Sequence, residues 1–544
     1  MKPWHHVLDG SSLPAKDDIG GKAWSLARMH QLGLPCPPAF VLPTHVCHAY
    51  ADAGSELPPE IEEALRAGVA HLERSTGRQF GGGTRPLLLS VRSGAPVSMP
   101  GMMDTVLNLG IDDVVERALA AESYDAAYAR DTHRRFVLCY GRIVLKADLD
   151  DEDTSPEQLR AAVLAETGEE IPADPWDQLR GAVCAVLRSW WSSRAKSYRR
   201  HMNIPDTLGT AVTVQAMVFG NLDAASGTGV LFTRDPLTGA PEPYGEYLPC
   251  GQGEEVVSGE RTPLPLSSLA AQLPAVHEEL IRSGRLLERE AGDIQDIEFT
   301  VERGRLYLLQ ARAAKRAPEA AVRLAVDLAE EGLITEDEAL ARVTAEQVEQ
   351  VMRPRLDAAE RRGAAVLATG EAACPGVAQG IAVSDADEVE RRQANGEQVV
   401  FIATTTSPEH VQAMISAVAV CTETGGSTSH AAVVCRGLGR PAVVGCGTGT
   451  VAALEGREVT VDGAAGEVLA GLLPLRSVDE RHDRCLGRLL DWARARVDAA
   501  GLGTADAGAA PSLTDLLAAH AAARAAAGSG RGTTGLVGSA ESGR

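Results

Sequence analysis

The stretch TETGGSTSHAAVVCRGLGRPAVVG occupies residues 422–445 and indicates a strand, a turn and a helix in immediate succession. The apolar run 417–423 predicts the strand, the Gly-Gly pair the turn, and residues 429–439 a helix that ends at glycine. Amides in the first turn of a helix lack internal partners, and the helix dipole there favours negative charge. We therefore expect an anion to be stabilised beside His430.

His430 is the candidate nucleophile of this stretch. Neutral imidazole, with a reference pKa of about 6.5, is largely unprotonated at pH 7 and can attack a phosphorus centre. A phosphate on His430 would meet the helix amides and the hydroxyls of Ser427, Thr428 and Ser429. An isolated histidine at a helix start more often caps the helix or packs, and only the context Gly-Gly-x-Thr-Ser-His-Ala-Ala reverses this interpretation.

Short alternating β and α units surround the histidine and predict a compact α/β domain over residues 371–475. Before it, the charged, Ala-rich residues 341–370 predict a helical linker. After it, in residues 476–544, a helix over 486–497 precedes an Ala-, Gly- and Ser-rich tail, which we expect to be disordered.

Residues 1–340 mix strand-like and helix-like runs and predict a larger α+β domain with a helical insertion over about 111–200. LLLSVRSG (87–94) and TAVTVQAMVFG (210–220) predict strands. SGTGVLFTRDP (226–236) predicts a glycine-rich turn before a strand, suited to folding over phosphates.

Two cations in this part are candidates for phosphate binding. Lys22 follows Gly20 and Gly21, which would let backbone and ammonium approach a phosphate chain. Arg92 ends a predicted strand, and its guanidinium is a fixed fork of donors suited to phosphate oxygens. The alternatives are a surface turn for the Gly-Gly-Lys run and a structural ion pair for Arg92.

A hairpin is predicted near residue 300, where DIEFTVERGRLYLLQAR forms two strand-like runs around Glu-Arg-Gly. Asp296 and Glu298 alternate on the first strand and share one face, as Gln310 and Arg312 do on the second. Two acids and an amide could hold Mg²⁺, and the arginine could neutralise phosphate oxygens. A solvated charged hairpin is the alternative, but apolar residues on the other face favour a partly buried sheet.

Taken together, these motifs resemble the pyruvate phosphate dikinases, members of the family of PEP-utilising enzymes. The resemblance covers about residues 1–475 and implies an α/β protein: an α+β ATP-grasp domain followed by a swivelling phosphohistidine domain. The motifs that carry it, besides the histidine stretch, are GGK, SVRSG, SMPGMMDTVLNLG (98–110), SGTGVLFTRDPLTG (226–239), YGEYLPCGQGEEVVSG (244–259) and the QDIEFT–LLQAR pair.

The resemblance also implies roles for the candidate residues. Lys22, Arg92 and Arg312 would contact ATP phosphates, Glu298 and Gln310 would hold magnesium, and Asp296 belongs to the same nucleotide site. His430 would be the phosphoryl carrier: ATP pyrophosphorylates it as AMP leaves, then inorganic phosphate takes the terminal phosphoryl group and leaves phosphohistidine and pyrophosphate. A homodimer is implied as well.

The family's large barrel, which binds pyruvate or phosphoenolpyruvate, has no counterpart in these 544 residues. We therefore expect only the half-reaction with ATP and phosphate on this chain. The phosphoryl group would pass to pyruvate on a separate barrel protein or to another acceptor.

Two positions near the histidine require comment. Thr424 stands where the dikinases usually have Arg, and losing that cation could weaken phosphate stabilisation. Thr428 matches a regulatory phosphorylation position of the plant dikinases, although a plain loop hydroxyl is the simpler interpretation.

Composition limits the remaining possibilities. The net charge of −22 argues against general binding to nucleic acid or to an anionic membrane. The ten cysteines have no C-x-x-C spacing, and there is no long apolar run or signal-like start, so we expect a cytoplasmic protein. Two alternative functions stay open: a phosphotransferase for a different small molecule or an antibiotic, and a degenerate nucleotide-binding regulatory subunit.

Overall fold

The computed structural model describes residues 3–97, 99, 103–149, 154–258, 261–352, 355–356, 358–476, 480–481, 483–499 and 511–529. Gly101 and Met102 of the SMPGMMDT motif lie outside the described residues. Among the helices of the described part, none combines the length and the apolar character that a bilayer span needs.

The amino-terminal part is built from two sheets and the helices around them. Its strands are β1 (His6–Val7), β2 (Ala39–Leu42), β3 (Gln79–Phe80), β4 (Pro86–Leu87), β5 (Leu89–Gly94), β6 (Thr105–Leu109), β7 (Ala211–Ala216), β8 (Gly227–Phe232), β9 (Tyr244–Pro249), β10 (Leu264–Pro265), β11 (Gln295–Glu302) and β12 (Arg305–Ala313). Its helices are α1 (Lys16–Gln31), α2 (His45–Asp52), α3 (Pro59–Thr76), α4 (Asp113–Ser123), α5 (Ala126–Ile143), α6 (Pro156–Thr167), α7 (Pro175–Ser189), α8 (Ser193–His201), α9 (Gly253–Ser258), α10 (Ser267–Gln272), α11 (Pro274–Ala291), α12 (Pro318–Glu330), α13 (Glu336–Arg342) and α14 (Ala345–Met352).

The two sheets have the strand orders β1-β2-β7-β5-β6 and β10-β9-β8-β11-β12. Helix α1 packs against β2, β5 and β7 of the first sheet and against β12 of the second. Apolar side chains of α1 and of β11–β12 share one core, which includes Ile19, Leu26, Ile297, Phe299 and Leu308. The helix therefore joins the two sheets, and a side chain on it can reach between them.

The predicted hairpin near residue 300 is confirmed. Strands β11 and β12 pair antiparallel from Gln295–Ala313 to Glu302–Arg305. Arg303 (φ 51°) and Gly304 (φ 72°) occupy the two turn positions, and positive φ at both is the requirement of the tight hairpin turn that matches strand twist.

The glycine-rich segment 226–236 differs from the prediction of a turn. Residues Gly227–Phe232 form β8, which pairs with both β9 and β11. A Cβ on Gly229 would lie 2.2 Å from the carbonyl oxygen of Glu246 and 2.7 Å from the Phe299 ring. Glycine is needed here because neighbouring strands crowd β8, so the predicted strand is confirmed, but Gly227 and Gly229 lie within it and not in a turn before it.

The carboxyl-terminal part contains one larger sheet. Its strands are β13 (Arg355–Leu356), β14 (Val366–Thr369), β15 (Glu371–Cys374), β16 (Val377–Val383), β17 (Val399–Ala403), β18 (Ala419–Thr422), β19 (Ala442–Val444), β20 (Glu458–Asp462), β21 (Glu467–Ala470) and β22 (Leu475–Arg476). Its helices are α15 (Ala358–Gly363), α16 (Ala386–Ala394), α17 (Val411–Ser416), α18 (His430–Leu438), α19 (Thr450–Leu454), α20 (Arg484–Ala499) and α21 (Leu513–Ser529).

The larger sheet has the order β14-β21-β20-β16-β17-β18-β19-β15, with parallel pairing from β16 through β19. Apolar clusters cover both of its faces. The predicted helical linker over 341–370 needs correction at its end, because residues Val366–Thr369 form β14 and pair with β21. The short helices α14 and α15 lie in the rest of that segment.

The tail also differs from its prediction. Residues Leu513–Ser529 form α21, which packs against α14 and α20. Leu513, Leu516 and Leu517 are buried in a core shared with α12, α13 and α20, and the Ser512 hydroxyl pairs with the Asp515 carboxylate at the helix start. Three leucines on one face outweigh an Ala-rich composition that was taken to indicate disorder.

Candidate active site

His430 is the first residue of α18 and is reached by the loop after β18. Strands β17 and β18 are parallel neighbours, so the loops after them meet at one edge of the sheet. Thr406 in the first loop places Oγ1 3.4 Å from Nδ1 of His430. Nε2 is buried and has no hydrogen-bond partner among the described residues. Burial, followed by the charges of Lys315 and His410, lowers the pKa of His430, so the imidazole is neutral at pH 7.

The hydroxyls before His430 do not all face the histidine. Ser427 Oγ donates to Glu246 Oε1 at 2.9 Å, and the Thr428 hydroxyl donates to the other oxygen of the same carboxylate. The Ser429 hydroxyl is buried and has no partner within the described part of the chain. The expectation of three hydroxyls around a phosphate was therefore wrong for Ser427 and Thr428, because the Glu246 carboxylate on β9 accepts a hydrogen bond from each of these hydroxyls.

Glu246 belongs to a contact between the two parts of the molecule. The Tyr244 hydroxyl, also on β9, hydrogen-bonds Ser427 Oγ and lies 3.0 Å from Glu371 Oε1. The Ser427 amide donates to the other Glu371 oxygen at 3.0 Å. Burial raises the pKa of Glu246. The histidine loop is thus held against the amino-terminal part by hydroxyl–carboxylate hydrogen bonds.

Lys22 is positioned by a kink in α1. Gly20 has a φ of 75°, a left-handed value inside the helix. A Cβ on Gly20 would lie 1.9 Å from the carbonyl oxygen of Gly94, at the end of β5. Burial, and then the neighbouring charge of Arg92, lower the pKa of Lys22 to about 7. The ammonium therefore stands among other cations, in a place suited to a polyanion.

Arg92 and Glu298 connect the two sheets across the site. Nη2 of Arg92 lies 3.3 Å from Oε2 of Glu298. Burial opposes ionisation of Glu298, but Arg92, Arg312 and Lys22 outweigh it and hold the pKa of Glu298 below its usual range. Glu298 is consequently an anion at neutral pH, able to share its oxygens with a cation.

The hairpin places the other candidates opposite one another. Glu298 pairs with Gln310 and Asp296 with Arg312 across β11 and β12. Nε of Arg312 donates to Oδ2 of Asp296 at 2.8 Å. The side-chain oxygen of Gln310 is buried with no hydrogen-bond partner among the described residues. This orphan acceptor beside Glu298 fits a hard cation, which prefers oxygen ligands.

His430, Thr406 and the charged side chains of α1, β5 and the hairpin line one cavity of about 1760 Å³ between the two parts of the molecule. The hairpin, α1 and β5 form one wall, and the loops after β17 and β18 form the other. The sequence-predicted residues that line it are Lys22, Arg92, Asp296, Glu298, Gln310, Arg312, Thr428 and His430.

Thr424 is placed apart from the cavity. Its exposed hydroxyl donates to the carbonyl oxygen of Thr404 at 2.9 Å. At this position the side chain packs on the neighbouring loop and does not line the cavity in the described structure.

Sequence reasoning missed Thr406, Tyr244, Glu246, Lys315 and Arg436, which all lie at the cavity or the interface. The TTTSP run after a predicted strand was the one usable signal for Thr406, because that strand precedes the histidine strand. Tyr244 and Glu246 contact Ser427 across more than 180 positions of chain, a separation at which spacing carries no information.

Comparison with known proteins agrees with this arrangement. The family model of the pyruvate phosphate dikinase AMP/ATP-binding domain matches residues 53–277, which include Arg92 and Glu246. The model of the PEP-utilising enzyme mobile domain matches residues 395–466, which include His430.

Several curated relatives are about two fifths identical to this chain over the aligned residues. Pyruvate, phosphate dikinase of Rhizobium meliloti (strain 1021) is 41% identical over 532 residues, covering 89% of this chain and 59% of the relative. The Clostridium symbiosum enzyme is 39% identical over 530 residues (91% and 60%), and pyruvate, phosphate dikinase 2 of Zea mays 41% over 513 (88% and 58%). The chain spans about three fifths of the length of these relatives. It thus carries two domains of the pyruvate phosphate dikinase family, the AMP/ATP-binding domain and the mobile domain of the PEP-utilising enzymes.

Proposed function

We propose that this chain is a phosphotransferase of the pyruvate phosphate dikinase type, which carries phosphate on His430. One observation supports it above all others. His430, whose imidazole Nε2 has no hydrogen-bond partner among the described residues, lines the cavity that Lys22, Arg92 and Arg312 also line. A nucleophile and a cationic cradle thus share one space, although they come from different domains.

ATP is the donor that fits this cavity. Nine Lys and Arg side chains and five carboxylates line it among the described residues, which leaves a local positive excess, opposite in sign to the chain's net charge of −22. Such an excess favours a polyphosphate, because each phosphate oxygen gains a charge-assisted hydrogen bond. Lys22 would reach the phosphates from α1, Arg92 from the first sheet and Arg312 from the second.

Glu298 and the orphan oxygen of Gln310 would hold Mg²⁺. The described residues contain no group of three or more His, Cys, Asp or Glu side chains that could hold a metal unaided. Phosphate oxygens and water would therefore complete the coordination, as is usual for magnesium–nucleotide sites. Bound there, the ion would neutralise charge on the transferring group.

The reaction begins at the imidazole. With the proton on Nδ1, donated to Thr406 Oγ1, Nε2 carries the lone pair. Nε2 attacks the β-phosphorus, the bond from that phosphorus to the α,β-bridging oxygen breaks, and AMP leaves with the electron pair. An oxygen of inorganic phosphate then attacks the terminal phosphorus, which releases pyrophosphate and leaves phosphohistidine.

Pyruvate is the proposed final acceptor, in keeping with the names of the relatives. To reach any acceptor outside the cavity, His430 must leave the nucleotide. We assign that movement to the connection between α14 and β14, with the contacts of Glu246 and Tyr244 made in the docked state and broken in the other.

The deciding experiment uses ATP labelled at the β position. Wild-type protein is incubated with Mg²⁺ and the labelled ATP, with and without phosphate, and acid-labile label on protein and AMP are measured. Label should appear on His430, and the variant His430→Asn should acquire none. Undiminished AMP formation in that variant, or no label on the wild type, would contradict the proposal.

A further inference from the structure

Arg436 has one edge of its guanidinium unused. The residue lies on α18, and its side chain returns towards the start of the helix. Nη1 donates to the carbonyl oxygens of Ser427 at 2.7 Å and Ala373 at 3.1 Å. Nε and Nη2 are buried and make no hydrogen bond to any described residue, although the whole residue is only 2% exposed.

The unused atoms are the side-on pair of donors that arginine offers to an oxyanion. Elsewhere in the chain the same edge binds a carboxylate: Nε and Nη2 of Arg312 both contact Oδ2 of Asp296, and those of Arg234 both donate to Oε1 of Glu288. Two buried donors without acceptors are costly, and a well-packed helix rarely keeps them without a reason. The Nε–Nη2 edge matches the spacing of two oxygens in carboxylate or phosphate.

The surroundings of this edge offer it no acceptor within the described part of the chain. The Phe232 ring centroid lies 5.5 Å from the guanidinium carbon, an approach that leaves hydrogen-bonding donors unsatisfied. Asp296 is already paired with Arg312. Arg436 lines the same cavity as His430, so the site is continuous with the reacting groups.

A second cation reaches the same region from the other domain. The Lys315 side chain crosses α18, with Nζ 3.6 Å from the position that a Cβ on Gly437 would take. Lys315 also lines the cavity, and its charge acts on the His430 imidazole. Arg436 lies on the same helix as His430, and Lys315 follows β12, so the movement proposed above would bring the two cations together only in the docked state.

We propose that the Nε–Nη2 edge of Arg436 and the ammonium of Lys315 form an oxyanion subsite that holds a phosphate group in the docked state. This inference rests on the proposed function. The chemistry is the same for two sources: inorganic phosphate entering as second substrate, or the phosphoryl group being transferred to His430. Either ligand would supply the two oxygens that the buried edge lacks.

The variants Arg436→Lys and Lys315→Gln test the subsite. The first keeps the charge but loses the two-donor edge, and the second removes the partner cation at an exposed position. Arg234→Lys is the matched control, because Arg234 is also buried (5% exposed) but does not line the cavity. Thermal unfolding identifies any variant that fails to fold.

Two steps are followed by rapid quench: AMP formation without phosphate, and pyrophosphate release after phosphate is added. If the subsite holds inorganic phosphate, the KM for phosphate rises roughly tenfold to a hundredfold in both variants, with AMP formation within about twofold. If it holds the transferred group, AMP formation falls by a similar factor and the KM for ATP is unchanged. The inference would be overturned if the rates of both steps stayed within about twofold of wild type in both variants. It would also be overturned if Arg234→Lys lost as much activity as the two variants.

Failure of the proposed function gives a different result. In that case the wild type forms neither AMP nor label, and the subsite is tested with inorganic phosphate alone by calorimetric titration. Binding to the wild type that weakens at least tenfold in both variants supports the subsite. Absence of phosphate binding to the wild type contradicts it.

Discussion

The two walls of the cavity are built on opposite principles. The nucleotide wall is made of charges that are paired with one another, as in Arg92–Glu298 and Arg312–Asp296. Beside the imidazole the histidine wall uses neutral groups, since Thr406 contacts the ring and Ser427 hydrogen-bonds across the interface, and its charged Arg436 lies further along α18. One wall lies on two sheets joined by a helix, and the other on loops at the edge of a third sheet.

This difference follows from the work each wall is proposed to do. A polyanion needs cations that are fixed before it arrives, because ordering them during binding would cost affinity. A nucleophilic imidazole needs a lone pair, and burial without a carboxylate partner keeps it neutral. A carboxylate beside the imidazole would raise the pKa of His430 and leave less of the neutral nucleophile. Each of the following changes breaks or sharpens that contrast, in order of decreasing expected effect.

Removing the imidazole should abolish the reaction. His430→Ala should reduce AMP formation by about 10³-fold or more, because no other group replaces the attacking nitrogen. Rapid quench with labelled ATP measures the loss. His277→Ala, on α11, is the control and should retain full activity; AMP formation within tenfold of wild type in His430→Ala would show that the nucleophile lies elsewhere.

Neutralising one acid of the nucleotide wall should have the second-largest effect. Glu298→Gln removes the charge opposite Gln310 that would hold Mg²⁺, and AMP formation should fall about 10²- to 10³-fold with a higher magnesium requirement. A magnesium titration of the rate measures both effects. The surface variant Glu290→Gln should match wild type, and an unchanged magnesium dependence in Glu298→Gln would remove Glu298 from the metal site.

Adding a charge to the histidine wall should separate the domains. Thr428→Glu would place a second carboxylate against Glu246, and like charges in contact cost several kcal/mol, so AMP formation should fall about 10²-fold. Thr428→Val removes only one hydrogen bond and is the control, with a loss below about tenfold. Small-angle scattering should show a more extended molecule for Thr428→Glu alone; identical profiles and rates for the two variants would argue against the docking contact.

Removing the hydrogen-bond partner of Nδ1 should have a smaller effect. Thr406→Val should slow AMP formation roughly fivefold, because one hydrogen bond contributes about 1 kcal/mol to holding the tautomer. Thr406→Ser keeps the hydroxyl and should restore most of the rate. Equal rates in the Val and Ser variants would mean that Thr406 does not orient the imidazole.

The smallest expected effect is the uptake of a proton when ATP binds. A lysine pKa of about 7 means that Lys22 is mostly neutral at pH 8 in the free protein, and bound polyphosphate should raise that pKa. ATP binding at pH 8 should then take up close to one proton, and affinity should fall as pH rises through 7. Calorimetry in two buffers of different ionisation enthalpy measures the uptake, which should vanish in Lys22→Arg.

Much of the nucleotide wall could be predicted because it is local. Alternation along a strand places Asp296 and Glu298 on one face, and the hairpin turn brings Gln310 and Arg312 opposite them. The buried apolar face of Ile297, Phe299, Leu306 and Leu308 was predicted in the same way.

The histidine wall was predicted only in part, because its contacts join distant segments. The strand, turn and helix around His430 follow from local pattern, but the partners of Ser427 and Thr428 come from β9. The Gly229 position was mistaken for a turn because crowding between strands leaves no periodic signal. Composition misled at α21, where three leucines decide the structure.

The kink at Gly20 has a consequence for recognising active relatives. A chain with Ala at this position would keep every cation, acid and hydroxyl of the cavity. The added methyl, however, would collide with the Gly94 carbonyl and push α1 away from β5, so that the ammonium and the Arg92 guanidinium no longer converge. A survey that scores homologues by their ionisable side chains alone would count such a chain as active. The single change from Gly to Ala would nevertheless have separated the two cations that bind phosphate.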